Sequence, residues 1–344
     1  MGIESLAGTY HPHAIEVQDF AGYGLVIDLR SAAEYADDHI PGAVHVAAPE
    51  VVADPGQGGS VGEPVATPLW RALEAAVAGV RLDQALLVYC GQGGLVSTPV
   101  AKSLRWRGWA TDVLPGGWVN YRRWVLAGLE VLPRLLAFRV VSCTLGTETA
   151  RVLSALHGAG QQTLDLEMLA ASRRFVFTPG PSVPSQAWFD SQLLQALRGF
   201  DPTRPVWVAE LGPRVGAITL PGALVDALGI APMAALQAPA GGRVGAWMTD
   251  EPLCADAEAL TAAVTSMCPA PSDALVASWR ELAARNATRL LLESILGGFL
   301  DPAYAADRDA RSPRRHALAP IVTGSLAPGP LGSAVAILTV EPSS

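Results

Sequence analysis

A chain of 344 residues exceeds the ~250–300 residues at which single hydrophobic cores stop growing, so two domains are expected. Half of its residues are hydrophobic and 16% are charged, with 24 basic side chains against 32 acidic ones and a net charge of -8. That balance excludes a protein that coats nucleic acid through bulk charge, while leaving room for a local basic face that holds one folded RNA.

In chain order, Leu25–Asp28 reads as a short apolar strand ending in an acid, followed by Arg30-Ser31 and a polar helical start. His39 to Val46 reads as a turn and a second strand. The segment 49–68, rich in Gly and Pro, is expected to be a surface loop. Helical spacing follows from Trp70 to Val80, then a buried strand from Ala85 to Tyr89, a helix from Pro99 to Arg107 and a strand over Thr111–Leu114. Alternating strands and helices at this spacing imply a parallel sheet covered on both faces. A second α/β unit begins near Phe138. Its expected strands are 138–142, 163–166, 206–209 and 233–238, with a helix over 149–157. Residues 278–297 read as one helix, and from Arg311 the composition predicts a loose tail with a strand at 334–340.

The four cysteines are Cys90, Cys143, Cys254 and Cys268, with no Cys-x-x-Cys pair, so neither a zinc ribbon nor a disulfide framework is expected. Reduced thiols suit a cytoplasmic protein. There is no basic-then-apolar leader and no apolar run of ~18 residues, so a soluble chain without membrane attachment is expected. No metal site is expected, since His11-Pro-His13 has no thiol or acidic cluster beside it.

Cys90 stands apart from the other thiols. It ends a buried strand and opens the loop Gly91-Gln92-Gly93-Gly94-Leu95-Val96-Ser97, which leads into a helix. Ligands of open α/β sheets bind at such strand ends. Backbone N–H groups of the loop can curl around the sulfur, and the helix aims its positive end at it. Thr98-Pro99 suits an N-cap followed by proline at the first helical position.

Asp28-Leu-Arg-Ser31, Glu34-Tyr35 and His39-Ile-Pro-Gly-Ala43 resemble the rhodanese domain, with Cys90 at the position of its persulfide-forming cysteine. Gly108-Trp109, Gly116-Gly117 and Tyr121-Arg-Arg-Trp124 resemble more narrowly the rhodanese domain of tRNA 2-selenouridine synthase, which carries a P-loop domain behind it. Asp165-Leu-Glu167, Pro184-Ser-Gln186, Leu220-Pro221 and Asp301-Pro-Ala-Tyr304 extend the likeness. The resemblance implies a rhodanese-like domain over 10–130, a P-loop-NTPase-like α/β domain with a helical C-terminal extension over 136–310, and the tail 311–344. It further implies a cytoplasmic transferase acting on wobble 2-thiouridine of tRNA. That family geranylates the sulfur from geranyl diphosphate and then replaces it with selenium from selenophosphate; both are substrates, and no tightly bound cofactor is expected.

The chain departs from this pattern at three places. The family loop resembles Cys-Trp-Arg-Gly-Gly-x-Arg-Ser, whereas Gly91, Gln92 and Val96 stand at the Trp and Arg positions, removing two cations. A P-loop needs glycines, a Lys and a Ser/Thr. The aligned stretch has Gly146 and Thr147, then Glu148 for glycine, Thr149 for the Lys and Ala150 for the Thr, a degenerate P-loop. A carboxylate ~4 Å from a phosphate charge costs on the order of 4 kcal/mol at an effective dielectric near 20. Leu211-Gly212 replaces a Glu-Ser pair. Arg105, Arg107, Arg122 and Arg123 lie among aromatics, as in RNA-binding surfaces, and equally suit a solvated helix face; the tryptophans read as core. Arg311 to His316 suits phosphate contact or a solvated tail equally. Three readings follow: a selenium or sulfur transferase using Cys90, a non-catalytic paralogue that binds tRNA or a partner protein, and a simple rhodanese sulfurtransferase. The sequence leaves the oligomeric state open.

Overall fold

The computed structural model describes residues 17–48, 67–91, 93–143, 149–171, 184–250, 252–267, 270–311, 321–323 and 328–339. Gln92, Gly146, Thr147, Glu148, Cys268, His11 and His13 lie outside these residues, as do most of the expected 49–68 loop and residues 312–316 of the basic tail segment. The chain is α/β, and its contacts group it into two units: Met1–Leu129 with Ser185–Gln195, and Glu130–Pro184 with Ala196–Ser344.

The first unit contains strands β1 (Leu25–Asp28), β2 (Val44–His45), β3 (Leu86–Tyr89) and β4 (Thr111–Val113), all parallel in the order β2-β1-β3-β4. Its helices are α1 (Ala32–Asp37), α2 (Thr67–Val77), α3 (Ser97–Trp106) and the start of α4 (Gly117–Leu135). Every residue of β3 is buried, as an apolar strand covered on both faces must be. Ile27, Leu86 and Val88 pack with Leu69, Leu73 and Val77 of α2 and with Val100 and Leu104 of α3, which fixes the end of β3 and the start of α3 on one floor. Helix α1 starts at a reciprocal capping box, in which Ser31 and Glu34 each hold the other's backbone N–H.

The second unit contains β5 (Phe138–Cys143), β6 (Gln162–Leu164), β7 (Val206–Ala209), the two-stranded β8 (Arg214–Val215) and β9 (Ile218–Thr219), β10 (Met233–Gln237) and β11 (Ile321–Val322). Its main sheet is parallel in the order β11-β10-β5-β7-β6. Helices α5 (Thr149–Gly158), α6 (Leu166–Leu169), α7 (Gln186–Arg198), α8 (Gly222–Ile230), α9 (Ala240–Asp250), α10 (Ala257–Thr265), α11 (Asp273–Ala284), α12 (Thr288–Ile295), α13 (Asp301–Arg311) and α14 (Pro328–Thr339) complete the chain, α7 beginning among first-unit residues. The C-terminal helices form their own cluster around Trp279, Leu291, Leu292 and Ile295.

Four expectations are corrected here. Residues 278–297 are two helices, because Asn286 takes the left-handed conformation (φ 52°) that ends α11. The expected strand at 334–340 is helix α14, and Ile321 pairs with Leu236, so both segments join the second unit instead of hanging loose. The spacing of buried Leu331, Ala334, Val335 and Leu338 is helical, and they seal the core formed by Val152, Leu153 and Leu156 of α5. The strand expected at 163–166 stops at Leu164, since Asp165 turns to cap α6 by accepting from Met168 N–H at 2.9 Å. Helix α3 begins at Ser97, so Thr98 and Pro99 lie inside its first turn and no side chain caps it.

If α14 is part of this core, Leu331→Ala and Leu338→Ala should each destabilise the second unit by about 2–5 kcal/mol. Thermal melting with limited proteolysis checks this, and tail residues that pack on nothing would leave both readouts unchanged.

Candidate active site around Cys90

The site is built where β3 runs out. Cys90 follows Tyr89, is only 2% exposed, and its Sγ lies 3.4 Å from Ser97 Oγ at the start of α3. Gly93 and Gly94 adopt left-handed backbone (φ 49° and 105°), which turns successive N–H groups inward as a nest. Burial works against the thiolate, but hydrogen bonds from the Ser97 hydroxyl and from the N–H groups of Ser97, Val96 and Gly94 outweigh it. The thiol therefore sits below its ordinary pKa. The same donors suit an added terminal sulfur or selenium.

The loop is fixed from the other side by Gly116-Gly117. Trp118 N–H donates to Cys90 O at 3.0 Å, and a Cβ at Gly117 (φ 56°) would fall 2.4 Å from that oxygen. Below it, the Arg30 guanidinium lies 3.5 Å from the centre of the Trp118 ring. Arg30 donates to both oxygens of Asp28, to Oδ2 at 2.6 Å, and to the carbonyl of Asp38 at 2.6 Å. Tyr89 O–H donates to Asp28 Oδ2 at 2.6 Å, and burial pushes that phenol well above its ordinary pKa.

The expected site residues divide three ways. Cys90, Gly91, Gly93, Gly94 and Ser97 come together in one loop, while Gln92 lies outside the described residues. Thr149 is buried at the start of α5, and Gly146 and Thr147 lie outside. Of the arginines proposed for RNA, Arg122 is bound inside the first unit by Asp38 (3.0 Å), Asp190 (2.9 Å) and the Ala187 carbonyl (2.8 Å), which removes its charge from the surface. Arg107 lies 3.5 Å over the Trp70 ring, Arg105 donates to the Thr111 carbonyl at 2.6 Å, and Arg123 is exposed. Trp106, read from sequence as core, is 91% exposed. The helix turns it outward beside Lys102, the one lysine in the chain. Sequence reasoning also missed Glu210, a buried carboxylate at the end of β7 that accepts from Ser142 O–H. Its signal was an acid directly after the apolar run Val206–Ala209.

Residues 14–123 match the model of the rhodanese-like domain, so the chain carries that domain, and it contains the whole Cys90 loop. No curated protein matches the chain. No described helix is long and apolar enough to cross a membrane.

Removing the Ser97 hydroxyl should move the Cys90 titration toward its ordinary, more alkaline range. Iodoacetamide labelling of Cys90 followed against pH checks this. Ser97→Ala should label more slowly at neutral pH and catch up at alkaline pH; an unchanged profile would mean that the hydroxyl contributes nothing to the thiolate.

Proposed function

We propose that the rhodanese-like domain makes this chain a chalcogen carrier. Cys90 takes up a sulfur or selenium atom and delivers it to the 2-thiouridine of a tRNA, the acceptor implied by the resemblance to tRNA 2-selenouridine synthase. The observation that carries the reading is the hydrogen-bonded cradle at Sγ, which favours a thiolate and leaves donors for a terminal atom added to it.

The outer face of α3 supports RNA as the acceptor. Lys102, Arg105 and Trp106 are exposed there, and residues 93–111 contain no acid in a chain of net charge -8. Trp106 follows Ser97 by nine residues, about 14 Å along the helix axis, a span of two to three nucleotides from the sulfur. An exposed tryptophan among cations suits an unstacked base of single-stranded RNA.

The P-loop-like role of the second unit receives less support. Its sheet changes direction of build at β5, so a ligand would be sought at the end of that strand. Buried Glu210 stands there beside Ser142, and Thr149 stands where the resemblance would put the lysine. We therefore assign the diphosphate step to neither unit, which favours a binding role for the second.

Nucleoside mass spectrometry of 2-thiouridine-containing tRNA, incubated with selenium-loaded protein and a thiol reductant that supplies the two electrons for release of the displaced sulfur as sulfide, tests the reading. A product gained with the wild-type chain and lost with Cys90→Ala is expected. Trp106→Ala should weaken tRNA binding about 10-fold or more, corresponding to ~1–3 kcal/mol per stacked base, without altering the loading of Cys90. Loading of Cys90 with no tRNA binding would leave a simple sulfurtransferase.

A further inference from the structure

Residues 185–195 lie outside the matched span 14–123, yet they group with the first unit. Their polar contacts converge on the end of α1 and on α4. Ser185 caps α7 by accepting from Trp188 N–H at 2.9 Å, and its hydroxyl donates to the Asp37 carbonyl at 2.6 Å. Next along α7, the Ala187 carbonyl and Asp190 Oδ2 accept from Arg122 at 2.8 Å and 2.9 Å. The Ser191 hydroxyl donates to Asp38 Oδ2 at 2.9 Å, and Arg122 donates to that same oxygen at 3.0 Å. Asp38, Asp190 and Ser191 are buried, which shields these charge-assisted bonds from water and salt. Leu194 packs over Gly128 of α4, where a Cβ would fall 2.5 Å from its Cδ1.

The Cys90 loop stands on the two elements held in this way. Helix α4 opens at Gly117, whose missing Cβ would lie 2.4 Å from Cys90 O and 3.5 Å from Gly93 N, and Trp118 N–H holds Cys90 O at 3.0 Å. Arg122 sits one turn after Trp118 on the same helix, so pinning Arg122 sets where Gly117 and Trp118 lie. Asp38 is the second support. Its carbonyl accepts from Arg30, whose guanidinium rests on the Trp118 ring, while its carboxylate takes Arg122 and Ser191. Sγ receives its hydrogen bonds from the Ser97 hydroxyl and the N–H groups of Ser97, Val96 and Gly94. A loop that drifts on Gly117 misaims those donors, and hydrogen bonds weaken steeply off line.

We infer that α7 positions the Cys90 site: Asp190, acting through Arg122, fixes the start of α4 and with it the donors that face Sγ. Asp190 acts through another residue and is therefore a positioning residue. The inference rests on Cys90 being the reactive group, as proposed above, and adds a control on it from outside the matched span.

The test reads the thiolate in the full chain, without any sulfur donor. Its ultraviolet absorbance is titrated against pH for each protein, with the same protein carrying Cys90→Ala subtracted. Asp190→Ala should move the Cys90 midpoint toward alkaline pH and lower the thiolate present at neutral pH about threefold. Asp190→Asn, which keeps an acceptor for Arg122, should move it less in the same direction and carries the test if the alanine variant does not fold. Arg122→Gln should match or exceed Asp190→Ala, and combining the two should shift the midpoint no further. Leu338→Ala, destabilised in the second unit, should leave the midpoint in place. A midpoint unmoved by either Asp190 variant, full additivity with Arg122→Gln, or an equal shift in Leu338→Ala would overturn the inference. Because no chalcogen is transferred, that result would leave the carrier reading standing. The predicted shifts in a chain whose Cys90 takes up no sulfur or selenium would overturn the carrier reading and leave the positioning role intact.

Discussion

The Cys90 loop depends on the buried ion pair between Asp28 and Arg30. Asp28 ends β1 in register with Tyr89 at the end of β3, so the hydroxyl of Tyr89 and the guanidinium of Arg30 converge on one carboxylate. Arg30 then passes the constraint outward to the Asp38 carbonyl and to the face of Trp118, whose N–H holds the Cys90 carbonyl. Two charges taken out of water are costly unless geometry and further hydrogen bonds compensate, and here Asp28 is met by Arg30 and Tyr89 together. Removing one partner alone would strand the other at about 3–5 kcal/mol, so the pair has to be kept or lost as a unit.

Much of the first unit was legible in the sequence because its signals are local. The run before Cys90 is apolar at every position, and only a strand covered on both faces uses such a run. The capping box at Ser31 and the glycines after Cys90 likewise announce a helix start and an anion-sized turn. What the sequence did not disclose is pairing at a distance. Arg122 looks like a surface cation beside Arg123, yet Asp38 and Asp190 reach it from 84 and 68 residues away. Trp106 illustrates the converse: a large apolar residue reads as core, but α3 buries Val100, Ala101 and Leu104 and leaves position 106 to solvent.

The second unit keeps a parallel sheet whose strands at 138–143, 162–164, 206–209 and 233–237 were each signalled in the sequence, while its C-terminal region was misread for physical reasons. Val335 and Ile337 favour strands locally, but the spacing of Leu331, Val335 and Leu338 lets one helical face close the core over α5. At 285–287 a single residue in left-handed conformation divides what charge and leucine spacing read as one helix. Glu210 and Ser142 meet across adjacent strands, β7 and β5, which no motif in either segment could reveal alone.

The proposed chemistry lies in the first unit, at one sulfur held by donors that stabilise added charge. Intact mass spectrometry of the protein isolated from cells without reductant tests that claim most directly. The account predicts a population heavier by one sulfur or one selenium atom, localised to Cys90, removed by reductant and absent from Cys90→Ala. A Cys90 that is unmodified as isolated and stays so when incubated with persulfide donors would contradict it.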